Sequence, residues 1–211
     1  IATQPKSISS SYSGSDGAAS INPEDVASIS ILKGPAAAAL YGSRAANGAI
    51  IITTKSGQSG AMRVDYNGGI SFDIPNMLMD FQNEYGRGDL GQYVATAGGS
   101  WGAKGKTYPD NVRDFYNTGI SANNYVGITG GTEKLKGYAS YTNNSVSGII
   151  PKNRMDRNTL NVRVTAQVLP KLTTDVKVTY VNRKIHNLPR LGDQGINNEA
   201  YIMPRDLSSD S

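Results

Sequence analysis

Covalent chemistry needs nucleophiles, acid–base pairs or metal ligands at workable spacings, and this chain has few. It contains no cysteine and a single histidine, His186. Disulfides, thiol nucleophiles and Cys-zinc sites are thereby excluded, and neither an imidazole metal set nor a Ser-His-Asp triad is supported. Glu84, Asp89, Asp110 and Asp114 all belong to one long segment, 74–120. A glycosidase holds two carboxylates at a defined separation, and nothing in these spacings fixes any two of them. Asp73, Asp80 and Asp89 lack the Asp-x-Asp-x-Asp-Gly pattern of a calcium loop. Gly34-Pro35-Ala36-Ala37-Ala38-Ala39-Leu40-Tyr41-Gly42 looks superficially like a phosphate loop but lacks the Gly-Lys-Ser/Thr ending that holds phosphate and Mg²⁺. Gly127-Ile128-Thr129-Gly130-Gly131 is followed by no helix, so it reads as a hairpin turn rather than a dinucleotide site. No catalytic residue, metal or cofactor is expected.

Binding chemistry is better represented. Trp101, with Tyr85, Tyr93, Tyr108, Phe115 and Tyr116, makes 74–120 the most aromatic stretch. Two readings stay open: rings that stack on a substrate or touch a partner, or rings that pack the segment on itself or sit at a membrane interface. The net charge is +4 with Lys and Arg scattered, which does not imply nucleic acid.

These residues need elements to hold them. Asn22 is a suitable N-cap, Pro23 suits a first helical position, and Glu24 and Asp25 favour a helix N-terminus. The helix must be short, because Ser28 to Lys33 alternates like a strand. Gly34-Pro35 breaks that strand, Ala36 to Leu40 is a compact helix that Gly42 can end, Asn47-Gly48 is a turn, and Ala49 to Lys55 is a buried-type strand. Residues 22–56 thus read as a small α+β unit, preceded by about twenty polar residues, rich in Ser and Gly, that read as a linker.

From Arg63 the pattern changes to strands of about ten residues, the length that crosses a bilayer at a tilt. In Leu160 to Val168 every even position is apolar and every odd one polar, with a single exception only in size, Ala166. Asp175 to Tyr180 follows after a tight connection through Pro170-Lys171. Asn124 to Thr129 and Gly137 to Thr142 make a second pair, and Arg63 to Asp73 a single earlier strand. Long and short connections alternate along this region, as they do in membrane barrels and not in soluble sandwiches. No run of 18 apolar residues exists, so a transmembrane helix is not expected; alternating barrel strands escape that criterion. The start Ile1-Ala2-Thr3-Gln4-Pro5 has neither the basic nor the apolar region of a secretion signal.

Asn22-Pro23-Glu24-Asp25-Val26, Ile31-Leu32-Lys33-Gly34 and Ala39-Leu40-Tyr41-Gly42-Ser43-Arg44-Ala45-Ala46-Asn47-Gly48-Ala49-Ile50-Ile51-Ile52-Thr53-Thr54-Lys55 together resemble the end of the plug domain of SusC/RagA-type TonB-dependent outer-membrane transporters. Phe115-Tyr116-Asn117-Thr118-Gly119, Thr129-Gly130-Gly131-Thr132-Glu133-Lys134, Gly148-Ile149-Ile150-Pro151 and Arg157-Asn158-Thr159-Leu160 are similar to the first barrel strands of that family. The resemblance covers roughly residues 20–207 and implies a mostly β fold: a piece of a large plugged antiparallel barrel of about 22 strands. It implies that residues 1–60 are the C-terminal part of the plug and 61–211 the first wall strands and loops, with the TonB box and most of the barrel absent from this fragment.

The resemblance further implies an importer of oligosaccharides or peptides in the outer membrane of a Gram-negative, Bacteroidota-type bacterium. TonB would energise it, a SusD-like surface lipoprotein would form its lid, and outer-membrane lipid would surround it. Arg44, Lys33 and Asn47 become candidates for plug structure or gating; for Arg44 the readings are a pair with a wall carboxylate or a structural cap. Trp101, Tyr108 and Tyr116 become candidates for contact with substrate or lid. The alternative is a secreted or surface β-rich binding module, such as an adhesin, without transport; a secreted β-rich glycosidase is the remaining rival.

Overall fold

In the computed structural model, residues 21–189 and 195–208 are described. The stretch read as an N-terminal linker lies outside the described residues. Asn22 accepts a hydrogen bond from the Glu24 amide at 3.3 Å, and Pro23–Asp25 form one turn of 3-10 helix. The chain passes at once into β1 (Val26–Leu32), so the short helix expected here is a single turn. Then follow α1 (Gly34–Tyr41), a second 3-10 turn at Ser43–Ala45, and β2 (Ala49–Thr54), which pairs antiparallel with β1. Gly48 turns the chain into β2 with φ 109, and a Cβ there would meet the Leu32 carbonyl at 2.9 Å, so this position requires glycine.

The run of alanines in α1 has no polar face to mark its inward side; Ala37 is the fully covered residue and Ala38 is half-buried. Ala37→Leu should therefore overfill the unit and destabilise it by about 1–3 kcal/mol, while Ala39→Leu, at an exposed position, should be near neutral. Protease resistance of this unit in the full-length protein separates the two.

The rest is dominated by five long antiparallel strands in one sheet, in the order β3 (Gly60–Asp73), β6 (Gly119–Gly131), β7 (Leu135–Ser147), β8 (Arg154–Leu169) and β9 (Leu172–His186). Residues 132–134 and 170–171 connect strands at one end; residues 74–118 and 148–153 connect them at the other. The long connection carries a small hairpin, β4 (Gly88–Asp89) with β5 (Gln92–Tyr93), and the helix α2 (Asn111–Phe115). After β9 comes α3 (Ile196–Ile202). These helices of five and seven residues are too short to leave a helical period in the sequence, which is why none was expected beyond Arg63. The fold class is the mostly β one expected. Among the described residues no helix is long and apolar enough to cross a membrane, a criterion that says nothing of strands.

The two faces of the sheet differ in solvent. On one, register sets Val64, Ile128, Ala139, Val162 and Val178 in a row, and Tyr66, Val126, Tyr141, Leu160 and Tyr180 in the next. Val126 and Ala139 are half-buried and the others exposed, and together they make a contiguous apolar surface, which water does not favour at this size. From the Leu160–Tyr180 rung to the Leu169–Leu172 turn is about 30 Å of strand, and a tilt of about 40° brings this near the roughly 25 Å apolar band of membrane barrels. Beyond the tyrosines the same face becomes polar on β7, β8 and β9, where Asn143, Asn158 and Asn182, then Ser145, Asp156 and Lys184, then Ser147, Arg154 and His186 follow in register, while on β3 and β6 it keeps Ile70, Phe72 and Ile120 beyond Asn124. The strands are 13–16 residues long rather than the expected ten or so, because pairing continues past the apolar band.

Candidate functional site

The opposite face is polar and carries the N-terminal unit. Its centre is Asp25, 4% exposed, at the end of the 3-10 turn. This carboxylate accepts from Tyr138 Oη at 2.5 Å, from Ser140 Oγ, from Asn161 Nδ2 at 2.5 Å and from Asn22 Nδ2 at 2.7 Å. Tyr138 and Ser140 alternate on β7 and Asn161 faces them from β8, so inward-pointing residues of two strands converge on one acid. Asn22 also donates to Thr142 Oγ1 at 2.7 Å. Thr179 Oγ1 donates to Asn161 Oδ1 at 2.5 Å and fixes which end of that amide faces Asp25.

A buried carboxylate is tolerated only where donors replace its water, and here four side-chain donors do so.

The segment joining the unit to the sheet lies along the same face. The Lys55 ammonium sits 4.9 Å over the Tyr125 ring and donates to its hydroxyl at 3.3 Å. Tyr125 can lie flat because Gly127, two residues on, offers no side chain to displace it. A Cβ on Gly57 would meet the Gly137 backbone at 2.5 Å, so the chain passes flush against β7 there. The Gln58 amide donates to Thr129 Oγ1 at 3.2 Å. Farther across, Lys177 donates to Thr54 Oγ1 at 3.0 Å, and Arg163, held bidentately by Asp175, reaches the Thr54 carbonyl at 3.4 Å. At the rim, Asn67 Nδ2 donates to Glu24 Oε1 at 2.8 Å.

The residues singled out from the sequence lie elsewhere. Lys33, Arg44 and Asn47 are exposed at the Leu32–Ala49 end of the strand pair, opposite the Val26–Thr54 end where Asp25 sits. Among the described residues no carboxylate forms an ion pair with Arg44. Lys33 precedes α1 without a side-chain capping bond. The buried carboxylate at this seam belongs to the N-terminal unit and is met by hydroxyls and amides of the sheet, while Arg44 lies at the other end of that unit. Asp25 was read only as a helix-terminus acid. Its signal in the sequence is indirect: a polar inward face, Tyr138, Ser140, Thr142, Thr159 and Asn161, needs polar partners.

Trp101, Tyr108 and Tyr116 belong to the second assembly, where 74–118 meets the segment after β9. Trp101 is 76% exposed, and its carbonyl accepts from the Gly91 amide at 2.9 Å. Tyr108 is half-buried under the Lys106 ammonium at 4.9 Å, and its amide donates to the Arg205 carbonyl at 2.8 Å. Tyr116 packs edge-on against Phe115; burial, with a hydrogen bond to Tyr201, pushes its hydroxyl up to about 12. No ring contact joins the three among the described residues. Beside them lies an open cavity of about 420 Å³ lined by Phe115, Ile196, Ala200, Ile202, Met203 and Pro204 among others. Among the described residues no group of three or more His, Cys, Asp or Glu is placed to hold a metal.

This assembly is fastened by Asp206, which takes Arg87 Nε at 3.0 Å and the Arg87 amide at 2.9 Å. Arg205 lies over the Phe81 ring at 4.6 Å and donates to the carbonyls of Tyr201 and Met203. Burial pushes the Asp206 carboxyl up, but the bonds from Arg87 outweigh it and hold the group below the usual carboxylate range. A depressed acid adds stability that is complete above its unfolded pKa of about 3.9 and is lost as pH falls through its folded value. Docking of 74–118 on 203–207 should therefore persist at pH 6 and loosen progressively below about pH 4. Hydrogen exchange in 84–105 should rise on acidification, and Asp206→Asn should show that loosening already at pH 6.

Residues 4–49 match the family described as the TonB-dependent receptor plug domain. The chain is 35% identical over 155 residues to the TonB-dependent receptor SusC of Bacteroides thetaiotaomicron, covering 71% of this chain and 15% of that receptor. It is 30% identical over 171 residues to the TonB-dependent receptor P39 of Formosa agariphila, covering 75% of this chain and 16% of the relative. The fold is similar to that of a solved chain of the RagAB peptide importer in its closed-closed state, with TM-score 0.58 and 18% identity over 81% of this chain and 23% of that one. The chain thus spans about one sixth of the length of the curated relatives it matches.

Proposed function

Since the chain belongs to the SusC/RagA type of TonB-dependent receptor, we propose that it is the part of an outer-membrane importer that joins plug to barrel wall. In this reading residues 1–60 are plug and 61–211 are wall and loops. The observation that carries it is the division of the sheet: an apolar face of membrane height on one side, and a polar face covered by the plug unit on the other. A plug held by hydrogen bonds rather than by an apolar core can part from a wet wall and re-form, because each lost bond is replaced by water. The cargo is an oligosaccharide or a peptide, release of the plug is energised through TonB, and a SusD-like lipoprotein covers the outer mouth. Catalysis plays no part. Trp101, Tyr108 and Tyr116 face the lid or the cargo from the outer assembly, and Lys33, Arg44 and Asn47 shape the plug.

Cells lacking the full-length receptor should lose uptake of fluorescent oligosaccharides or of fluorescent peptides, and an uncoupler should abolish the same uptake in wild-type cells. Uptake of both classes unchanged by the deletion would contradict the transport reading.

A further inference from the structure

The outward face of β7–β9 changes chemistry in steps. Its apolar band ends at Tyr141 and Tyr180, rings of the kind that mark a membrane interface. The next rung carries Asn143, Asn158 and Asn182, and the two after it set Asp156 opposite Lys184 and Arg154 opposite His186. At these charged rungs β3 and β6 present Ile70, Phe72 and Ile120, so the cationic patch is local to one stretch of the sheet. Its acid is already occupied: Asp156 accepts from Arg154 Nε at 2.9 Å, from Arg154 Nη2 at 3.2 Å and from Ser145 Oγ at 2.8 Å. Lys184 and His186 are exposed, and neither forms an ion pair among the described residues. Asn158 Oδ1 accepts from Tyr141 Oη at 2.7 Å and from Asn143 Nδ2 at 2.9 Å, which leaves its own amino group as a donor. The backbone beneath is fastened. Asn153 Nδ2 donates to the Asn187 carbonyl and Asn187 Nδ2 to the Lys152 carbonyl, each at 3.0 Å, tying the start of β8 to the end of β9.

We propose that Lys184, His186 and Arg154 hold the phosphate of a phosphorylated glycolipid in the outer leaflet, with Asn158 and Asn182 meeting its sugar. The short turns at the other end of these strands mark the inner side, so this patch meets the outer leaflet. From Tyr180 to Lys184 is about 13 Å of strand, or about 10 Å of height at a tilt of about 40°. Headgroups fill roughly the first 5–8 Å above the hydrocarbon, and a lysine stem lets its ammonium reach back into that layer. An ammonium without a counter-ion, beside a guanidinium already oriented by its acid, matches a phosphate. The amides between the cations and the tyrosines match ring hydroxyls, which the ester backbone of a phospholipid lacks at that depth.

This inference rests on the barrel-wall reading of the face and is tested without measuring uptake. The full-length receptor, stripped of lipid in detergent, is titrated with lipid A, with the same lipid A after phosphatase treatment, and with phosphatidylglycerol, and binding is read by native mass spectrometry. Intact lipid A should bind tightest, and excess inorganic phosphate should not displace it. Lys184→Gln should weaken it about fivefold, the worth of one cation at an anionic membrane surface. Lys171→Gln removes the same charge at the short-turn end and should leave binding unchanged, and both variants should melt as wild type. Equal binding of the dephosphorylated lipid, equal loss in the two variants, or displacement by inorganic phosphate would overturn the site. Phosphatidylglycerol binding as tightly as lipid A would overturn the glycolipid assignment. A receptor that needs detergent yet shows no preference among these lipids would fail this inference alone, whereas one soluble without detergent would fail the barrel-wall reading as well.

Discussion

Asp25→Ala in the full-length receptor should loosen the plug from the wall by on the order of 3–5 kcal/mol. The substitution removes the carboxylate that gathers Tyr138, Ser140, Asn161 and Asn22, and takes from these covered hydroxyls and amides the acceptor they share. It also ends the chain of bonds that reaches Lys55 through Tyr138 and Tyr125. Asp25→Asn keeps the size and part of the acceptor capacity, so about 1–3 kcal/mol is expected for it. Glu24→Ala, one residue away, breaks only an exposed bond with Asn67 and should change stability by less than about 1 kcal/mol. Hydrogen exchange across 22–32 and 49–60 reads the difference: strong loss of protection in Asp25→Ala, weaker loss in Asp25→Asn and none in Glu24→Ala. Equal protection in all three would show that the plug is held elsewhere.

The second large effect belongs to the outer face of β8. Val164 stands in the apolar band two rungs on the turn side of the Leu160–Tyr180 row. An arginine there meets lipid and must desolvate or snorkel, at about 2–4 kcal/mol. Thr165→Arg places the same charge on the inward face, where Thr165 already donates to Asp175 at 3.1 Å; its cost should be small. Val162→Leu with Val164→Leu gives the sharper contrast. Lipid accepts the added methylenes, whereas a closed core would resist them by roughly 1–3 kcal/mol. Thermal unfolding of the full-length barrel in detergent should therefore fall markedly for Val164→Arg and stay near wild type for the double leucine variant. A large loss in the double variant would mean that protein, and not lipid, lies against this face.

What could be read in advance follows from how local each signal is. Leu160 to Val168 alternates because its two faces meet two different media, and that contrast is written residue by residue. The strand ends were not legible, because beyond Tyr141 and Tyr180 the outward face of these strands turns polar and the simple alternation stops, with Val146, Met155, Val181 and Ile185 on the other face. Asn143, Asn158 and Asn182 continue the pairing with no change in polarity to announce it. Asn47-Gly48 was legible because Gly48 needs a positive φ that few other residues accept. The role of Asp25 was not, since its three partners on the sheet lie 113 to 136 residues away and are ordinary Tyr, Ser and Asn on strands whose inward direction the sequence implies without showing what they face. Arg44 drew notice for its charge and its place after a helix, yet charge alone does not say which end of the unit meets the wall.

The central claim is that one sheet separates lipid from plug, and the alternation along β8 tests it most directly. Single cysteines at positions 160 to 166 of the full-length receptor, each carrying a small fluorophore, are reconstituted in bilayers containing brominated lipid. Positions 160, 162, 164 and 166 should be strongly quenched and positions 161, 163 and 165 protected, with position 161, under Asp25, shielded from aqueous quenchers as well. Uniform quenching along the strand, or quenching of the odd positions in place of the even ones, would contradict the account.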